Sequence, residues 1–183
     1  MSITIRALRL PEDGPSLDRL DAGFITSAVY DVTATSRGFS LVERSLQAPL
    51  QKRYLLESRD MTDANVAVVA ETAGAVVGAA SLRFELWNRR AVVEHLYVDR
   101  PARGQGVGGR LLRALRSRAI ELGARSLFVE TQNVNVPAVR FYERNGFTLV
   151  GLDIAMYDPE KFPGEIALFF EHRLDSETIK SAP

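Results

Sequence analysis

The chain contains no cysteine. That excludes disulfides, thiolate-ligated zinc, iron–sulfur clusters and a cysteine nucleophile. Histidine is nearly as scarce, with only His95 and His172, so a histidine-rich metal site is excluded as well. HExxH, GxSxG and EF-hand patterns do not occur. Neither sign of charge dominates, since Lys plus Arg and Asp plus Glu both number 23. A balanced chain offers no general attraction to nucleic acid or to a membrane surface. No apolar stretch approaches the length that spans a bilayer, and Met1 to Arg6 lacks the apolar run of a secretory leader. The expectation is a cytoplasmic protein with one domain over residues 1–174 and a polar tail over 175–183.

Against those absences stands an ordered series of patterns. Ile3 to Leu10 reads as a strand broken by Pro11-Glu12-Asp13-Gly14-Pro15, and Ser16 to Phe24 reads as a short helix. Residues from Ser27 to Gln47 look extended around Ser36-Arg37-Gly38, as in a hairpin, and Pro49 to Arg59 reads as a loop or short helix. Val66 to Thr72 and Ala75 to Trp87 form a second hairpin across Ala73-Gly74, followed by a strand from Ala91 to Val98. Val107, Leu111, Leu112, Leu115, Ala119 and Leu122 fall at helical spacing, with Gly123 placed as a stop. Arg125 to Glu130 is a buried strand, and Pro137 to Asn145 is a helix with Asn135 at its cap and Gly146 at its end. Phe147 to Tyr157 and Glu165 to Leu174 close the pattern as strands. The sum is an α+β fold, a mostly antiparallel sheet flanked by helices, with one β–α–β crossover.

The chemistry concentrates in Arg103-Gly104-Gln105-Gly106-Val107-Gly108-Gly109, ahead of the long helix. Glycine admits φ > 0, so backbone N–H groups can converge, and the helix start adds unpaired donors and a positive dipole end. With an arginine alongside, the stretch predicts a site for a phosphate or pyrophosphate. Gly104, Gly106 and Gly109 match GxGxxG literally, and Glu130 follows at a suitable interval. Against the dinucleotide reading, Asp99 to Arg103 separates the loop from its strand and the preceding strands pair as hairpins. A P-loop is excluded because no Gly-Lys-Ser/Thr follows.

Val93-Glu94-His95-Leu96-Tyr97-Val98-Asp99 followed by Arg103-Gly104-Gln105-Gly106-Val107-Gly108 resembles the acetyl-coenzyme-A motif R/Q-x-x-G-x-G/A of the GNAT N-acetyltransferases. Asn135-Val136-Pro137-Ala138-Val139-Arg140-Phe141-Tyr142-Glu143-Arg144-Asn145-Gly146-Phe147 is similar to their second motif, N-x-x-A-x-x-F-Y-x-x-x-G-F. Trp87-Asn88-Arg89, Glu130-Thr131-Gln132, Asp153 to Tyr157 and Ala167 to Phe170 are similar to the streptothricin acetyltransferases within that family.

The resemblance implies a GNAT-like fold and transfer of an acetyl group from acetyl-CoA, as co-substrate and without metal, to an amine in a ternary complex. It assigns the pantetheine arm and thioester carbonyl to the backbone of Leu96, Tyr97 and Val98. It assigns the pyrophosphate to Arg103, Gly104, Gln105, Gly106, Val107, Gly108 and Gly109, with Gly108 serving either the phosphate or helix–strand packing. Asn135 and Ala138 contribute to cofactor binding, and Asn135 is equally a helix cap. Tyr142 is implied as the acid that protonates the thiolate. Glu94 is implied as the base, with a strand salt bridge as its other reading. His95 has a suitable native pKa, yet period-two alternation turns it away from Glu94 unless a bulge intervenes. Proton loss to water without a dedicated base is the third option.

The implied acceptor is a small cationic amine, such as streptothricin, held by Glu85, Trp87, Glu130, Asp153 and Tyr157. A protein N-terminus, a lysine or a polyamine is the alternative acceptor, and an acetyl-CoA sensor without turnover the alternative class. Neither nucleic acid nor membrane enters as a partner, and a homodimer is the one protein assembly considered.

Overall fold

The computed structural model describes residues 2–54 and 56–174; the expected polar tail, 175–183, lies outside the described residues. In chain order the elements begin with β1 (Thr4–Ala7), α1 (Gly14–Leu17), β2 (Phe24–Thr35) and β3 (Gly38–Lys52). A 3-10 turn (Ser58–Met61), β4 (Val66–Thr72), β5 (Ala75–Glu85), β6 (Arg90–Val98) and a second 3-10 turn (Arg100–Ala102) follow. The chain continues through α2 (Val107–Glu121), β7 (Ser126–Gln132), α3 (Val136–Arg144), β8 (Thr148–Asp153) and β9 (Ala167–Arg173). The expected fold class holds: strands outnumber helices among the described residues, and the β1–β4, β4–β5, β5–β6 and β8–β9 pairings are antiparallel. No helix among the described residues is long and apolar enough to cross a membrane.

The described residues fall into two compact units. The first contains residues 2–23, 53–54, 56–128 and 172–174. Its strands run in the order β1-β4-β5-β6-β7. Leu17, Leu20, Leu56, Met61, Val69 and Ala79 form a buried cluster, with Tyr97 packed against it. The apolar stripe of α2, Val107, Leu111, Leu112, Leu115 and Ala119, is buried as its spacing requires. The helix ends in a Schellman motif: Gly123 N–H donates to the Ile120 carbonyl and Ala124 N–H to that of Ala119, with Gly123 at φ +77°.

The second unit contains Phe24–Lys52 and Val129–Glu171. β2 and β3 pair as an antiparallel two-stranded sheet, while β7, β9 and β8 lie side by side. Helix α3 opens on Asn135, whose side chain accepts from the Ala138 N–H at 3.2 Å. It closes in a second Schellman motif, with Gly146 N–H donating to Glu143 and Phe147 N–H to Tyr142. The Phe147 ring packs on Tyr142 with centroids 5.5 Å apart. F-Y-x-x-x-G-F therefore has a local meaning: it stops the helix and seals the stop with an apolar contact.

Three expected elements shift. The helix read over Ser16 to Phe24 is one turn, Gly14–Leu17, because Asp21 accepts from the Gly23 N–H in an Asx turn and Phe24 enters β2. Pro49 to Lys52, read as loop or helix, belongs to β3. The register there jumps from Ala28↔Ser45 to Thr26↔Leu50, which leaves Pro49 in a stretch without ladder partners, where its missing N–H costs nothing. The strand read through Tyr157 stops at Asp153, whose side chain accepts from the Ala155 N–H.

Candidate functional site

In the first unit, β6 leads through the Arg100–Ala102 turn to the glycine loop. Gly104 and Gly106 sit at φ +76° and +81°, and Gly106 is the N-cap of α2. A Cβ at either glycine would meet no heavy atom within 4 Å, so glycine is required there by conformation and the space around it is open. Among the described residues no side chain caps this helix start, which leaves its N–H groups to a ligand or water.

The Arg103 guanidinium is placed differently from the sequence reading. It donates to the carbonyls of Val98 (2.9 Å), Gly23 (2.6 Å) and Asp21 (2.8 Å). Gln105 Nε2 donates to Pro101 O at 3.1 Å. Both side chains pin the loop to the protein. Val107 is buried in the core, so the loop's offering to an anion is backbone.

Gly78 on β5 supports this arrangement, and no sequence signal pointed to it. A Cβ there would lie 2.8 Å from Tyr97 O, 3.2 Å from Leu111 and 3.3 Å from Val107. The missing side chain lets Val107 and Leu111 of α2 pack onto β5 beside the Tyr97 carbonyl.

Upstream on β6 the register with β5 jumps from Leu82↔Val93 to Ser81↔His95, so Glu94 is the extra residue of a β-bulge. Glu94 accepts from Arg83 Nε at 2.8 Å, and His95 Nδ1 lies 2.8 Å from Ser81 Oγ. Arg83 and Ser81 share a face of β5, so Glu94 and His95 share the corresponding face of β6. Arg83 also reaches Glu85, which accepts from Asn88 Nδ2 at 2.9 Å. Burial pushes the His95 pKa below its ordinary value, against the carboxylates of Glu94 and Asp60. Trp87 is 86% exposed.

In the second unit, Tyr142 is buried among Phe141, Phe147 and Phe170. Two of the expected acceptor residues come together there. Tyr157 OH donates to Glu130, and Gln132 Nε2 donates to Tyr157 OH at 3.1 Å. Burial raises the Glu130 pKa, countered by the Tyr157 hydrogen bond and by Lys52. Lys52 is ion-paired with Glu165 and lies 5.0 Å over the Phe162 ring. Asp153 is exposed and engaged in its local turn. Asn135 caps α3 through the contact described above.

The model of the acetyltransferase (GNAT) family matches residues 33–147, which takes in both motif stretches. The chain belongs to the GNAT family of acetyltransferases. A streptothricin acetyltransferase of Streptomyces lavendulae is 35% identical over 169 residues, covering 87% of this chain and 89% of that protein. One from Escherichia coli is 34% identical, covering 73% and 75%. Among solved structures, nourseothricin acetyltransferase superposes with a TM-score of 0.87 at 37% identity, covering 96% of this chain and all of that one. A streptothricin acetyltransferase described as putative from Bacillus anthracis, solved in complex with acetyl coenzyme A, superposes with a TM-score of 0.81 at 27% identity over 94% of this chain. As a GNAT chain, the protein presents its first motif as a bulged strand, a pinned glycine loop and an uncapped helix start, and its second as a capped and sealed helix. Ser81, Arg83 and Gly78 lie outside both motifs; cross-strand pairing and close packing reveal them.

Proposed function

We propose that the chain transfers an acetyl group from acetyl-CoA to a primary amine of a small cationic molecule, with streptothricin as the acceptor. The observation that carries this reading is the pair of positive-φ glycines at the open, uncapped start of α2, reached from the bulged strand through the Arg100–Ala102 turn. Likeness to streptothricin acetyltransferases over most of both chains supports the acceptor.

In this reading the N–H groups of Gly104 to Gly109 hold the pyrophosphate, and the backbone of Leu96 to Val98 holds the pantetheine arm and polarises the thioester carbonyl. Asn135 and Ala138 take part in cofactor binding, as the likeness of the second motif implies. The amine attacks the carbonyl directly, since the chain has no cysteine to carry the acyl group. Tyr142 protonates the departing thiolate; transfer from a phenol of pKa about 10 to a thiolate whose thiol has a pKa of about 8.5 is uphill by about 2 kcal/mol, and the proton that the new amide nitrogen sheds returns the tyrosinate to tyrosine. Glu130 and Tyr157 receive a positive group of the acceptor: a buried carboxylate with a raised pKa is stabilised by a neighbouring cation. Glu85, Trp87 and Asp153 are the further candidates for binding the acceptor.

The test is coenzyme-A release with streptothricin, aminoglycosides, polyamines and peptide N-termini. Turnover is expected with streptothricin. Turnover confined to peptides or polyamines would replace the acceptor and leave the reaction class in place.

A further inference from the structure

Resting on that reading, we propose that His95 takes the proton of the acceptor ammonium and that Ser81 is the positioning residue that sets its ring.

The bulge at Glu94 makes the arrangement. Without the extra residue, Glu94 and His95 would alternate across β6. With it, His95 pairs with Ser81 and turns to the face that carries Arg83 and Glu94. Tyr97 lies on the same face, its ring 6.0 Å from His95, with Tyr54 a further 6.3 Å from Tyr97.

Ser81 is completely buried on a central strand, so its Oγ is a fixed point. A histidine whose Nδ1–H donates to Oγ presents its lone pair at Nε2. The same bond persists when Nε2 gains a proton, so the ring need not turn during the cycle. Glu94 is less suited to the task, because its carboxylate already accepts from the Arg83 guanidinium.

The charged and titratable groups around His95 are Glu94 and Tyr97 on its own strand, Arg83 on β5 and Asp60 on the Ser58–Met61 turn. Burial lowers the imidazole pKa and the two carboxylates offset part of that, so the net push is toward the neutral ring.

The proton balance closes. The ammonium gives one proton to Nε2, and the free amine attacks the thioester carbonyl. A C–N bond forms and the C–S bond breaks. The second proton from nitrogen ends on the thiol by way of Tyr142, and the imidazolium returns its proton to water.

The test combines kinetics with ring nitrogen spectra. The chain has two histidines, so labelled protein gives two ring systems and H95Q identifies the one lost. Wild type is expected to show His95 as the Nδ1–H tautomer and an acidic limb in kcat/KM. H95Q should lose at least ~100-fold in kcat and lose that limb, with the KM for acetyl-CoA unchanged. Ser81→Ala should mix the tautomers and lower kcat more than it raises KM. An H95Q enzyme with wild-type rate and pH profile overturns the proposal, as does an Nε2–H tautomer in the wild type. Absence of wild-type turnover with every amine sinks the acetyl-transfer reading, and this proposal with it; turnover with an unchanged H95Q profile sinks this proposal alone.

Discussion

Glu94 and His95 are adjacent in the chain and lie on the same face of β6, Glu94 held by Arg83 and His95 by Ser81, two residues apart on β5. One inserted residue in the ladder produces this relationship. It sets an anionic carboxylate beside an imidazole whose burial favours the neutral form.

The sign of a Glu94→Gln effect follows from that geometry. Glu94 favours the imidazolium, so removing its charge lowers the His95 pKa further. The acidic limb of kcat/KM should move to lower pH and remain present. Loss of the limb altogether would identify Glu94 itself as the proton acceptor.

Tyr142→Phe removes the phenol oxygen and keeps the ring that packs on Phe147 and Phe170. The reading of Tyr142 as acid expects kcat to fall by about 10²–10⁴ while the variant stays folded. Unchanged acetyl transfer by the folded variant would remove the assignment.

Gly78→Ala forces a Cβ to 2.8 Å from the Tyr97 carbonyl, an atom of backbone that cannot swing aside. Overpacking of this kind costs about 1–3 kcal/mol. The displaced strand is the one assigned to the pantetheine arm, so Tm should fall and the KM for acetyl-CoA should rise together. Calorimetry and steady-state kinetics on one preparation measure both.

Arg6 grips Asp13 through two nitrogens at 2.7 and 2.8 Å, which holds the Asp13 carboxyl below the usual carboxylate range despite its burial. A depressed folded pKa means that the stabilisation is present above the unfolded value of about 3.9 and is lost as pH falls through the folded value. Asp13→Asn should lower stability at neutral pH by about 1–2 kcal/mol. The gap to wild type should close in strong acid, read from urea midpoints across pH.

Much of this was legible without coordinates. The stripe on α2, the stops at Gly123 and Gly146, the cap at Asn135 and the positive-φ demand at Gly104 and Gly106 are encoded within a few residues of where they act. Helix caps and tight turns depend on local backbone chemistry, so a local reading recovers them. The two motif stretches were legible for the same reason.

The remainder was decided by tertiary structure. The bulge at Glu94, the Ser81–His95 bond, the closeness of α2 to Gly78 and the pairing of Glu130 with Tyr157 join residues that the sequence keeps apart. A one-residue slip in a ladder reverses which face a side chain takes, and nothing in Val93-Glu94-His95 announces it. The sequence alone determined the positive-φ glycine loop ahead of α2 and the GNAT-like framework. Only the folded sheet decided which side chains face each other across β5 and β6, because register is a property of two strands and cannot be read from one.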